Sequence, residues 1–422
     1  MKMRLKAHGL LFVFYGLISP NWANVFGSLL AQSHRRFKRS DQVCKGNEKI
    51  SYYFIKRPSS VPLDYTRHVI DNANTKGALC IDGTEAVYYL RKTKFTTGLG
   101  KWMIVLPGGA WCSSNETCFW RANTALGSSK YAPPELSKLE GVFSSEPLKN
   151  PHFYDWNVLY LQYCDGSSFL GNADQPVFYN NTRLYFRGRR ILSAFLDEVI
   201  VKYFNNTCAL QKILVMGYSA GGLAVMTNAH FISHRLSTLN IPVHYASDGG
   251  FFVNVLCSDF SRVFHQWMEQ LYTYHHVSGE LDPSCLQSQP VKWRWRCLTP
   301  EVLLHFTTVN LTIVNSLQDG WQLIYFKGGQ CGYSPQSCSN QDIRKASQLR
   351  TSTLHAIQPL LHKPNINFFF FSCIKHCTVF YNKSWNGVLI VSKEKLQDFM
   401  YESVNGKRHS YIDKDTHFVC KL

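Results

Sequence analysis

Apolar residues fall along the chain in short runs, and six of these runs have the length and composition of buried strands. They are KWMIVL from Lys101, NVLYLQY from Asn157, ILVM from Ile213, VHYAS from Val243, LTIVNS from Leu311 and INFFFF from Ile366. Between the second and third, RRILSAFLDEVIVKYF places Ile191, Leu192, Phe195, Leu196, Val199 and Ile200 on one helical face. Strands separated by helices predict an α/β fold with a mainly parallel central sheet and helices on both faces. Ligands of such sheets bind beyond the carboxyl ends of the strands. Residues 44–422 contain no low-complexity linker and no internal repeat, which predicts a single catalytic domain with insertions.

The candidate chemistry follows these runs. ILVMGYSAGGLAV, Ile213 to Val225, reads as a strand, a sharp turn and a helix, with Ser219 between Gly217 and Gly221. That is the context in which GxSxG forms a nucleophile elbow. A serine hydroxyl becomes a useful nucleophile only when a histidine takes its proton and a carboxylate orients that histidine. LTIVNS runs into LQDGWQ, which leaves Asp319 at a strand end, and INFFFF runs into SCIKHC, which does the same for His376. Asp248 in SDGGFF also follows a strand and is the alternative acid. KWMIVL leads into PGGAWC, a glycine loop whose amides can face a developing oxyanion, so Gly109, Ala110 and Ala220 are the expected donors. Trp111, Phe251 and Phe252 are candidates for an apolar acyl site. The motifs imply no cofactor and no metal. A zinc site built on Cys373, His376 and Cys377 has no fourth ligand signposted.

Composition sets the setting. In a chain of 422 residues, 45% hydrophobic, there is ample material for a large core. The segment MKMRLKAHGLLFVFYGLISP carries Lys2, Arg4 and Lys6 ahead of an apolar run, the layout of a signal peptide over residues 1–31; joined to VFGSLLA it would read as a signal anchor. Residues 32–43 form a basic linker in which Arg36, Lys38 and Arg39 resemble a processing site. Fourteen cysteines behind an export signal predict disulfides, with Cys112 joined to Cys118 and Cys373 or Cys377 joined to others around the histidine loop. Sequons at Asn115, Asn180, Asn205, Asn310 and Asn382 fit the same route to a secreted, extracellular protein. A net charge of +17 suits an acidic glycan such as heparan sulfate as a partner, while no nucleic-acid motif is visible and no stable membrane insertion is expected.

Taken in order, PGGAWCSSNETC, NPHFYDWNVLYLQYCDGSSF, FRG, GYSAGGLA, SDGGFF, NSLQDGWQ and SCIKHC resemble the successive blocks of the pectin acetylesterase/Notum family, from about Cys80 to about Cys377. The resemblance implies a disulfide-stabilised α/β-hydrolase fold and a serine carboxylesterase. It puts Ser219, Asp319 and His376 at the family's triad positions and Gly109, Ala110 and Ala220 at its oxyanion positions. It further implies a substrate that is either an O-acylated glycan, as for the acetylesterases, or a lipidated protein, as for Notum, which removes palmitoleate from Wnt proteins. YCDGSSF is worded like the acetylesterases, and Ala110, Leu298 and Thr299 stand where Notum has bulkier aromatic residues. An acetylesterase is therefore the leading expectation and a Notum-like delipidating enzyme the second. A hydrolase fold that only binds is the third.

Overall fold

The computed structural model describes residues 65–420 apart from 138, 206–208, 256–262, 278, 330, 333–334, 388–394 and 415–418. The signal peptide, basic linker and processing site expected over residues 1–43 lie outside the described residues. In chain order the strands are β1 (Tyr65–Val69), β2 (Val87–Arg91), β3 (Lys101–Leu106), β4 (Glu135–Leu136), β5 (Asn157–Leu161), β6 (Val177–Tyr179), β7 (Thr182–Leu184), β8 (Lys212–Tyr218), β9 (Val243–Asp248), β10 (Leu311–Ser316), β11 (Ile366–Phe371) and β12 (Tyr411–Ile412). Ten of them form one sheet in the order β12-β11-β10-β9-β8-β3-β5-β2-β1-β4, and β6 with β7 makes a separate hairpin. From β12 to β5 every pairing is parallel. Beyond β5 the sheet continues antiparallel through β2, β1 and β4.

All six predicted strands lie in the parallel part. Their continuous apolar character follows from burial on both faces: Ile104, Leu106, Val215 and Phe370 enter one core layer, while Met103, Val105, Leu214, Met216, Phe369 and Phe371 enter the other. The expected amphipathic helix spans Gly188–Tyr203 and buries Ile191, Leu192, Phe195, Leu196 and Val199. The antiparallel extension is less legible because β2 ends on a buried charge. Arg91 is only 1% exposed, and its guanidinium donates to the carbonyls of Phe143 at 2.7 Å and Trp156 at 2.9 Å.

Among the described residues five disulfides join Cys80–Cys164, Cys112–Cys118, Cys285–Cys297, Cys331–Cys338 and Cys373–Cys420. Cys373 thus supplies the disulfide that tethers the histidine loop. The bridge expected at Cys373 or Cys377 is made by Cys373, and Cys377 is a buried free thiol whose sulfur lies 3.8 Å from the Asp248 carbonyl oxygen. Among the described residues no helix is long and apolar enough to cross a membrane.

Candidate active site

Ser219 stands at the end of β8, one residue before the helix Ala220–Thr227, with φ 57° and ψ −128°. This backbone is unfavourable for a residue with a side chain, and the surroundings hold it there. The Ser219 amide donates to the Asp248 carbonyl at 2.8 Å, and its carbonyl accepts the first helical bond from the Leu223 amide at 3.0 Å. The turn is tight enough to demand glycine at Gly221, where a Cβ would fall 1.9 Å from the Leu106 carbonyl oxygen. Ser219 is 7% exposed, so its hydroxyl sits largely sheltered from water.

His376 and Asp319 meet it from the next strand ends. His376 Nε2 lies 2.9 Å from Ser219 Oγ, and Nδ1 lies 2.7 Å from Asp319 Oδ2. The second Asp319 oxygen accepts the Gln322 amide at 2.9 Å, so the carboxylate also caps the helix Gly320–Tyr325 and is fixed by it. The Gly320 amide bonds the Lys375 carbonyl at 3.2 Å, which ties the acid loop to the histidine loop directly.

Asp248 does something else. Its Oδ2 accepts the amides of Thr378 at 2.6 Å and Val379 at 3.0 Å, and its Oδ1 accepts the Thr378 hydroxyl at 3.0 Å. Burial pushes its carboxyl above the usual range, and those hydrogen bonds oppose the shift. Burial likewise pushes the Cys377 thiol well up, so it stays protonated beside the histidine.

The glycine loop after β3 runs against the serine. A Cβ on Gly108 would sit 2.5 Å from Ser219 Cβ. Gly109 and Ala110 then take φ values of 152° and 52°, which turn the loop over the nucleophile. A hydrogen-bond relay through Ser168 and Tyr163, which lie outside the expected residues, joins this loop to Ala220 at the helix start. The Trp111 indole N–H donates to Ser168 Oγ at 2.7 Å, and the Ser168 hydroxyl donates to the Ala220 carbonyl at 2.8 Å. The Ser168 amide donates to the Tyr163 hydroxyl at 3.0 Å, which in turn donates to the Ala110 carbonyl at 2.8 Å. Ser168 and Phe169 both adopt left-handed backbone, with φ values of 56° and 58°. Buried Asp165 supports that turn by accepting from the Ser167 and Phe169 amides, each at 3.0 Å. YCDGSSF was visible in the sequence, but nothing in it signals the positive φ that aims Ser168.

Of the three candidate acyl-site aromatics, Phe252 stands beside the histidine and Trp111 packs against Phe252. The Phe252 ring lies 5.2 Å from Trp111 and 6.3 Å from His376. Trp321, which sequence reasoning passed over although it follows Asp319 by two residues, lies 5.4 Å from Phe252, 5.8 Å from Trp111 and 6.1 Å from His376. Phe251 and Phe252 are both fully buried, and the Phe251 ring lies 5.5 Å from Phe370. Of the sequon asparagines, Asn115, Asn180, Asn205 and Asn310 are exposed, while Asn382 is half-buried and its side-chain oxygen accepts the Gly141 amide at 2.9 Å.

The Drosophila Wnt deacylase Notum has the same fold, with a TM-score of 0.71 at 22% identity over 84% of this chain and 97% of that one. Fold and relatives together define a carboxylic-ester hydrolase of the α/β-hydrolase class. A family profile described as Pectinacetylesterase matches residues 59–421, and the chain belongs to that family. Pectin acetylesterase 5 of Arabidopsis thaliana is 30% identical over 362 residues, 80% of this chain and 82% of the relative. Palmitoleoyl-protein carboxylesterase notum1' of Xenopus laevis is 30% identical over 190 residues, 44% of this chain and 37% of that relative.

Proposed function

We propose that this chain is a serine O-acylesterase that removes short acyl groups, acetyl above all, from sugar hydroxyls. The observation that carries this reading is the unbroken hydrogen-bonded series from Asp319 through His376 to Ser219. Ser219 Oγ attacks the ester carbonyl as His376 Nε2 takes its proton, and Asp319 stabilises the imidazolium that results. The amides of Gly109, Ala110 and Ala220 receive the oxyanion. The tetrahedral species then collapses, the imidazolium gives its proton to the departing alcohol oxygen, and the acyl group stays on Ser219. Water attacks this acyl-enzyme with His376 again as base, which releases the carboxylic acid and restores the serine. Each step moves one proton through one imidazole, so no metal or cofactor is called for.

The aromatic contacts support a short acyl group. Trp111, Phe252 and Trp321 pack against one another with ring centroids 5.2–5.8 Å apart. A long acyl chain would have to part rings in mutual contact, whereas a methyl group asks for the least displacement. The disulfides support assembly in an oxidising compartment, in keeping with extracellular action. A series of p-nitrophenyl esters tests the substrate. The reading predicts that kcat/KM is greatest for acetyl and falls through butyryl to octanoyl. An open apolar channel would instead raise it by about fourfold per methylene, at about 0.8 kcal/mol each. A rise continuing to octanoyl would move the chain to the palmitoleoyl-removing reading that its Notum relatives suggest.

A further inference from the structure

Strands β6 and β7 form a sheet of their own, joined through Asn180 and Asn181. Both turn residues take left-handed backbone, with φ values of 46° and 58°, which is what a two-residue hairpin turn of this kind requires. Glycine is the usual second residue of such a turn, and here a second asparagine stands in its place. Asn180, Asn181 and Thr182 together make a sequon at the hairpin tip. Asn180 is exposed, and among the described residues its side chain makes no hydrogen bond. Asn115, Asn310 and Asn382, by contrast, use their side-chain oxygens within the fold, accepting from the Tyr274 hydroxyl at 2.6 Å, the Arg408 guanidinium at 2.6 Å and the Gly141 amide at 2.9 Å. Tyr179 and Thr182 flank the turn, pair across the hairpin and are both half-buried, so they share one face and part of each reaches the surface. Phe178 belongs to the opposite face, where the Arg183 guanidinium lies 5.2 Å from its ring centre.

We propose that Tyr179 and Thr182 form a seat for the first N-acetylglucosamine of a glycan carried on Asn180. The proposal rests on the reading of the chain as an exported protein, and it names the sequon whose neighbours are built to hold a sugar. The donor is a lipid-linked oligosaccharide pyrophosphate. The Asn180 amide nitrogen forms a bond to the anomeric carbon and loses one proton, the bond from that carbon to the pyrophosphate oxygen breaks, and the lipid pyrophosphate leaves. One face of a pyranose carries only C–H groups, which suits the ring of the residue next to Asn180, while Thr182 adds a methyl and a hydroxyl from directly across the turn. The seat has a structural consequence. A lone two-stranded hairpin is marginally stable, and this one is held by Val177, Tyr179 and Leu184 packing on the cluster that contains Cys112 and Cys118. Their bridge ties the helix Asn115–Ala122 to the end of the glycine loop. A sugar lying across the tip therefore secures the open end of the hairpin on which that helix leans.

The experiment uses the full chain secreted from animal cells, with glycopeptide mapping and every glycan then trimmed enzymatically to a single N-acetylglucosamine. Asn180 should carry that sugar. The trimmed wild type should unfold roughly 2 °C above Asn180→Asp, a variant that keeps a residue tolerant of left-handed backbone but cannot be glycosylated. This advantage should persist when both proteins also carry Phe178→Thr and largely vanish when both carry Tyr179→Thr. An advantage of equal size in the Tyr179→Thr pair would overturn the seat. Should Tyr179→Thr fail to fold, isotopic labelling of the sugar decides the matter on the wild type. The resonance absent from Asn180→Asp should be shifted upfield by the tyrosine ring current, and a resonance at the position of a free asparagine-linked sugar would overturn the seat. Asn180 left bare while another sequon is occupied would also overturn it and leave export standing. A chain with no glycan at any sequon would overturn both.

Discussion

Asp248 grips Thr378, its Oδ2 accepting the Thr378 amide at 2.6 Å and its Oδ1 the Thr378 hydroxyl at 3.0 Å, while the neighbouring histidine turns its Nδ1 to Asp319. Two buried carboxylates beside one histidine loop therefore do different work. Asp248 fixes where the loop runs, and Asp319 fixes how the imidazole is oriented.

The two carboxylates should separate in a variant comparison. Asp319→Asn should lower kcat by roughly 10³–10⁴-fold with little change in unfolding temperature, since it leaves the wrong tautomer in place. Asp248→Asn should lower the unfolding temperature by several degrees and cost less in kcat, because it weakens the hydrogen bonds that hold residues 378 and 379. Steady-state kinetics and thermal unfolding on both proteins check this, and a reversed order would exchange the two roles.

Ser168 touches no reacting atom in the proposed mechanism, yet it links the Trp111 indole to the Ala220 carbonyl. Ser168→Ala should cut kcat by about tenfold, the loss of one or two buried hydrogen bonds, with KM nearly unchanged. Ser168→Thr should recover part of the loss. Equal changes in kcat for Ala and Thr variants would reduce the residue to a packing role.

The thiol of Cys377 is buried and the Cys373–Cys420 bridge is closed. Peptide mapping of native protein should find Cys373 joined to Cys420, and Cys377 should resist alkylation until the chain unfolds. Cys373→Ser should destabilise the fold by ~2–4 kcal/mol by freeing the strand end that carries the histidine loop. A disulfide at Cys377 in the native protein would contradict this.

His244 in β9 is buried, its Nε2 lies 2.8 Å from Thr312 Oγ1, and burial holds its pKa at about 3 against an ordinary 6.5. The unfolded chain then takes up a proton near pH 6.5 and the fold only near 3. The stability that the neutral ring contributes is full above pH 6.5 and is lost as pH falls toward 3. His244→Gln keeps a partner for Thr312 without titrating. The unfolding-temperature advantage of the wild type over this variant should shrink as pH is lowered from 7 to 4, and a constant difference would contradict it.

The parallel strands were legible because burial on both faces leaves unbroken apolar runs such as INFFFF, and Asp319 and His376 were legible as polar residues just past such runs. Strand β1 was not, because only Tyr65 of its five residues is buried and YTRHV carries no apolar run. β12 is two residues long and has no pattern to read. The roles of Asp248 and Ser168 depend on loop backbones that cross between elements far apart in sequence, and no local spacing records those crossings.

Covalent capture tests most directly whether Ser219 is the nucleophile. Wild-type protein treated with a fluorophosphonate should gain one adduct, located by peptide mass spectrometry on Ser219. Ser219→Ala should gain none and lose p-nitrophenyl acetate turnover by at least ~10³-fold while unfolding at nearly the wild-type temperature. An adduct on another residue, or full turnover by the Ser219→Ala protein, would contradict the account.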